Sequence, residues 1–274
     1  MIGPIDHWQA RRDRSFGTHA PLITTPAGAE RFLERVGVAL RYGASDRLPL
    51  ASLQRALAGD DPTKDAAARA TGLTNHLLGA RAGIEVHVIA GRVAVMHRRA
   101  MPALYVLVRR GRPLDDLSGL GLDAQTALAL LRQRREVSAG DVRHRLGRPA
   151  NPRNDPAYAA LGELMRVLLV DRGPFEMPTK GIHYLPPEGY PYHLLHEAHA
   201  DLVSASRKLT VPSAADAFLG AYLDGAAFAP VRALATMFKL FLSRAEIDAS
   251  LARLVERRKA SLERVGSTTY CVST

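Results

Sequence analysis

SAADAFLGAYL (213–223), PVRALATMF (230–238), SRAEIDASLARLV (243–255) and TTYCV (268–272) follow one another near the C-terminal end, and their order decides the fold. Ser213 and Asp216 have capping-box spacing ahead of Phe218 and Tyr222, which places a helix start there. Pro230 opens a second helix with Leu234, Met237 and Phe238, because a first-turn N–H has no partner to lose. Ser243 and Glu246 form another capping box, and Ile247, Leu251, Leu254 and Val255 line one helix face. Thr268 to Val272 is β-branched and aromatic, as strands are. Three helices and a strand pair are expected.

Working back, the same order recurs. Thr25-Pro26 reads as a cap and first-turn Pro ahead of Phe32, Leu33, Val36 and Leu40. A second helix is expected from Leu50 to Leu57, stopped by Gly59-Asp60-Asp61-Pro62, and a third from about Asp65 to Leu78. Ile84, Val86 and Val88 then alternate, Ala90-Gly91-Arg92 turns, and Val93 and Val95 alternate again, which is a hairpin. Met101 to Val108 reads as a helix. Arg109 to Leu122, with four glycines and prolines, is the expected boundary. Beyond it Asp123 caps a helix with Ala127, Leu128 and Leu131. Ser138 and Asp141 have capping-box spacing, and Asp155-Pro156 opens a helix with Leu161, Leu164, Met165 and Leu168. Pro174 to Tyr192 reads as a hairpin with a long loop.

The fold class is therefore mainly α with short β-hairpins (α+β): three tandem winged-helix units at 1–113, 114–208 and 209–274, the first with an extra N-terminal helix. The middle unit is expected to be the packing hub, with contacts made by the outer two. No residue-by-residue self-similarity accompanies the repeat.

The chain has 274 residues and a formal net charge of +10, with thirty-two arginines against five lysines. Arginine over lysine also fits a GC-rich genome, but that bias does not remove carboxylates. A basic excess favours a polyanionic partner. Cys271 stands alone, so neither an internal disulfide nor a Cys-rich metal site can form, and no apolar run reaches membrane-spanning length. MIGPIDHWQARRDRSF lacks the apolar core of a secretory signal, so a cytoplasmic location is expected. Aromatic residues, at 6%, are too few for a base-stacking platform, which favours duplex over single strand.

RFLERVGVALRYG (31–43), LPLASLQRAL (48–57), LLRQRREVSAGDVRHRLG (130–147), AALGELMRVLLVDRG (159–173) and YPYHLLHEAHADLV (190–203) resemble, in order and spacing, the tandem winged-helix family related to the AlkZ DNA glycosylases. The likeness is closer to the uncharacterised AlkZ-related branch. It implies three winged helices curved around a basic channel, with a Gln–apolar–Gln or Gln–apolar–Asp element after the equivalent of Gly37 to orient the hydrolytic water. Leu40, Arg41 and Tyr42 stand there instead, with Asp46 the nearest acid. An Arg would repel a developing oxocarbenium ion, so no catalytic residue is assigned.

Candidate nucleic-acid contacts are Arg92, His97, Arg98 and Arg99 on the first wing and beyond, and Ser250, Arg253 and Arg257 on one stripe of the third unit's long helix. A wing arginine enters a narrow minor groove or clamps phosphate; the alternative is a solvated, charge-protected edge strand. Glu246 shares the helix stripe and would oppose phosphate. Arg109, Arg110 and Arg112 either touch phosphate or keep a linker solvated. His193, His196 and His199 are spaced three apart, a geometry that does not turn all three to one metal, and they read as surface histidines on a partly buried helix. No metal and no cofactor are expected. The reading is a protein that binds double-stranded DNA without catalysis, linked to repair or protection. The alternatives are a glycosylase acting on alkylated or crosslinked bases, and a winged-helix interaction scaffold.

Overall fold

The computed structural model describes residues 4–43, 48–60, 63–149, 154–175 and 190–274. Asp46, Lys180 and most of the loop expected between Pro174 and Tyr192 lie outside them. The architecture is α+β, mainly helical with small sheets.

Helix α1 (Pro4–Phe16) precedes α2 (Pro26–Val36), β1 (Val38–Leu40), β2 (Ala51–Ser52), α3 (Leu53–Ala58), α4 (Lys64–Gly79), β3 (Gly83–Ile89) and β4 (Arg92–His97). A 3₁₀ turn (Arg98–Ala100) and α5 (Met101–Arg109) lead to α6 (Leu122–Arg134), β5 (Glu136–Val137), α7 (Ala139–Leu146), α8 (Pro156–Arg166), β6 (Val170–Arg172) and β7 (Tyr192–Leu194). After α9 (Leu195–Ala198) and α10 (Ala200–Ser206) come α11 (Val211–Ala226), β8 (Phe228–Pro230), α12 (Val231–Phe238), α13 (Arg244–Glu256), β9 (Ala260–Val265) and β10 (Thr268–Ser273). The sheets run β2-β1-β4-β3, β5-β7-β6 and β8-β10-β9; among the described residues only β1 and β2 pair in parallel.

Backbone conformation shows a repeat that the side chains do not. After the first helix of each set, one residue with positive φ turns the chain into a short strand: Gly37 (70°), Arg135 (64°) and Ala227 (63°). After the third helix the same device appears at Arg81 (54°), Leu168 (54°) and Arg258 (56°). Such positions favour glycine, and only one of the six has it.

Several caps are formed as read. Thr25 accepts from Gly28, Ser138 and Asp141 satisfy each other's N–H groups, Asp155 accepts from Ala157, and Ser243 pairs reciprocally with Glu246. Others differ. The box at the start of α11 is Thr210–Ser213, three residues early, because Pro212 fits only the first turn. Gly121, not Asp123, holds the cap position of α6, and its N–H donates to Glu163 at 2.8 Å. Helix α3 begins at Leu53 because Ala51 and Ser52 pair with β1.

The hub is the first sheet, not the middle unit. Ile84, Val86, Ala94 and Met96 pack with α5, α11 and α12 through Leu104, Phe218, Leu234 and Phe238. Ala39 and Val95 point the other way, into Phe32, Leu33, Leu57 and Leu77. A sheet apolar on both faces must be covered twice, so sequence-distant helices complete its core. The turn between β3 and β4 is pinned as well, the Ala90 N–H donating to the Met237 carbonyl of α12 at 2.8 Å. The middle set of elements has its own core around Leu128, Leu131, Leu161, Leu164 and Val170. Helix α1 ties the ends together: Trp8 packs on Phe228 and Tyr270, and Arg12 lies 3.6 Å from the Phe228 ring centre and donates to the Ala226 and Phe228 carbonyls.

Helices α11 and α2 approach backbone to backbone. A Cβ on Gly225 would lie 2.4 Å from the Val36 carbonyl oxygen. Gly225→Ala is expected to destabilise by about 1–3 kcal/mol, the range for overpacking, read as a lower urea midpoint at unchanged slope. Arg110 clasps Glu246 at 2.6 and 3.0 Å and, with Ser243, holds its carboxyl at about 2. This folded-state depression contributes stability above the ordinary value near 4.5 and loses it as pH falls towards 2. Glu246→Gln is expected to cost roughly 1 kcal/mol at pH 7 for a partly solvated pair, with the difference shrinking through that window in pH-dependent denaturation.

Candidate nucleic-acid interface

The residues expected to meet nucleic acid do not form one group. Arg92 stands exposed beside the hairpin turn, its guanidinium with no hydrogen bond or ion pair among the described residues. His97 is at the other end of β4, about 17 Å away at the rise of a strand. Arg98 reaches Asp201 at 2.5 Å, and Arg99 reaches Glu34 at 3.0 Å.

On α13 the expected stripe turns inward at one position. Ser250 is fully buried and its hydroxyl donates to Asp216 at 2.7 Å, so it does not face a groove. Arg253 donates to the same carboxylate at 2.8–3.1 Å, and Arg257 lies 3.3 Å from it. Burial raises the Asp216 pKa, but the hydrogen bonds and charges of these neighbours outweigh it and hold it low. Starting α11 at Val211 turns Asp216 towards α13. A pattern read on one helix does not reveal that acid.

The connector arginines differ from one another. Arg109 is buried and donates to the carbonyls of Val167, Arg112 and Pro113, so it is a clasp within the chain rather than a phosphate contact. Arg110 is taken by Glu246, and Arg112 is exposed.

Basic groups do converge on one cleft of about 600 Å³ between α2 and α11. Ala100, Ala103, Ala217 and Ala221 are among its lining. Arg31, Arg35, His97 and Arg99 line it, opposed by Glu34 and Asp224. Arg31 is exposed and has no partner among the described residues. Arg35 donates to the Ser15 carbonyl at 2.9 Å. Burial and the adjacent Arg99 push the His97 pKa below its ordinary value, so at neutral pH the ring is mainly an uncharged donor and acceptor. The sequence-based candidates did not include Arg31 and Arg35, which alternate with acids on α2.

Next to this cleft, β1 runs into the segment compared above with a water-orienting element. Leu40 is buried in the shared core. Arg41 is buried against Glu85 at 2.5 Å and donates to the Tyr190 hydroxyl at 3.1 Å. Tyr42 is exposed. Glu85 also holds Arg172, and His87 lies 3.3 Å from it. The Arg172 guanidinium stacks 4.2 Å from the Tyr190 ring centre. Glu85 is thus a buried carboxylate with two cations, joining β1 and β3 to β6. An acid in the largely apolar run GIEVHVI was the available signal, because Glu85 faces the same side as Val95, its partner in β4.

The three histidines lie on different elements. His193 is in β7 and His196 in α9. His199, at the break before α10, is buried and 2.7 Å from Asp171, not on the surface. Among the described residues no group of three or more His, Cys, Asp or Glu could hold a metal ion. No helix among them is long and apolar enough to cross a membrane.

Removing Glu85 leaves two guanidiniums buried and unpaired. Glu85→Gln is expected to cost roughly 3–5 kcal/mol by denaturant titration, as for other broken buried pairs. An effect below 1 kcal/mol would show that water replaces the carboxylate.

No family model and no curated protein sequence matches the chain. Among solved structures, the fold is similar to the Streptomyces sahachiroi DNA glycosylase AlkZ, with a TM-score of 0.59 and 14% identity, over 100% of this chain and 71% of that one.

Proposed function

We propose that the chain is a cytoplasmic double-stranded DNA-binding protein of three tandem winged-helix units (1–113, 114–208 and 209–274), linked to DNA repair or protection and without glycosylase activity. The observation that carries this reading is the likeness to a DNA glycosylase over the whole chain. The thrice-repeated order of helix, short strand, two helices and strand pair supports the unit assignment. The net charge of +10 supports a polyanionic partner. Arg31 and Arg35 around the α2/α11 cleft, with Arg92 at the wing, are the proposed phosphate contacts. Arg98, Arg99, Arg253 and Arg257, already paired with carboxylates, contribute less to affinity.

The absence of catalysis is argued from residues 40–42. Leu40 is sealed in the core, Arg41 is committed to Glu85, and Tyr42 is a poor base for activating water. The same fold likeness favours a second reading, a glycosylase acting on alkylated or crosslinked bases from a different set of residues. Abasic sites appearing in alkylated duplex at high protein concentration would establish that second reading.

For the first, affinity for a 20–30 base-pair duplex is expected to fall with log salt at a slope of about −0.9 per phosphate contacted. Arg31→Ala and Arg92→Ala are each expected to weaken binding and flatten the slope by about 1, while Arg253→Ala leaves it nearly unchanged. Absence of binding at low salt would overturn the proposal.

A further inference from the structure

A second cavity, of about 370 Å³, lies on another side of the molecule, where the end of α4 meets β6, β7 and α9. Arg81 and Arg135 stand at its rim, exposed, their guanidinium groups without a hydrogen bond or ion pair among the described residues. Each occupies a left-handed position where a helix turns into the next element, so the backbone fixes where its side chain starts. His193 lines the wall, and Leu78, Pro174 and Leu194 give an apolar side. The base is Asp171 and His199, joined at 2.7 Å and both more than nine-tenths buried. Only one Asp171 oxygen is used in that contact. The other, Oδ1, is buried and makes no hydrogen bond among the described residues.

Two free guanidiniums above an unused buried acceptor define a ligand with an anionic head and a hydrogen-bond donor. A buried acceptor without a donor is destabilising, and a ligand that donates to it recovers that loss. Guanidinium pairs match phosphate geometry. We infer that this cavity binds a nucleoside monophosphate, its phosphate between Arg81 and Arg135, a sugar hydroxyl donating to Asp171 Oδ1, and its apolar face against Leu78 and Leu194. Glu197 at the rim opposes the phosphate and sets a ceiling on affinity. The site is distinct from the α2/α11 cleft and does not depend on duplex binding there.

Calorimetric titration of the full chain with thymidine 5′-monophosphate tests it. Binding is expected, with none to thymidine, and Arg81→Gln/Arg135→Gln weakens it at least tenfold without lowering the melting temperature. Glu197→Gln is expected to tighten it severalfold, a gain that misfolding does not produce. No heat at millimolar nucleotide, or affinity unchanged in both variants, overturns the inference. Duplex affinity measured on the same samples separates this outcome from failure of the DNA-binding proposal. A hairpin DNA with a 5′-phosphate that competes with the nucleotide assigns the ligand to a strand end. Absence of competition assigns it to a free nucleotide.

Discussion

Everything in this molecule depends on a four-stranded sheet with no face left for water. Strands β3 and β4 are apolar on both sides, and helices α2 to α4 cover only one of them. The other is covered by α5, α11 and α12, the last two more than a hundred residues further along the chain. Closure of that core brings α11 so near α2 that only hydrogen fits at Gly225. The α2/α11 cleft, lined in part by alanines, follows from the same approach: the helices touch backbone to backbone at Gly225 and Val36 and leave a groove beside that contact.

Charge is distributed less simply than a formal +10 suggests. Asp216 takes Arg253 and Arg257, Glu246 takes Arg110, Glu85 takes Arg41 and Arg172, and Asp155 takes Arg143. These pairs join elements that chain connectivity leaves apart, and their cations are spent on structure. What remains for a polyanion is the unpaired set, including Arg31, Arg81, Arg92 and Arg135. Two of those rim the Asp171 cavity, which makes the surface field local rather than one continuous track.

The helices and hairpins were legible because their signals are local. Caps at Thr25, Ser138, Asp155 and Ser243, the 3.6-residue stripes and the alternation from Ile84 to Val95 each act within a few residues. The short strands β1, β5 and β8 were not, since two or three residues carry no period and their partners lie far along the chain. Burial of both faces of the first sheet was equally out of reach: Ile84, Val86 and Val88 show one apolar face but not what covers it. The candidate contacts fared as non-local features do. Nothing near Ser250 announces that Asp216, thirty-four residues earlier, sits beside it. The cleft needed Arg31 and His97 from different elements, and the Asp171 cavity needed Arg81 and Arg135 from different cores.

Pinning the β3–β4 turn to the Met237 carbonyl has a mechanical corollary. A hairpin free at its tip bends readily; one anchored there transmits load to α12 instead. The first and last thirds of the chain are thereby a single lever arm. The middle third has a core of its own but also enters the shared one through Leu168, Leu195 and Leu202, and the Glu85 ion cluster, the two 3.2 Å hydrogen bonds exchanged by Asn75 and Phe175, and the Arg109 clasp add polar ties. Load therefore crosses that seam through packed apolar side chains as well as through ion pairs.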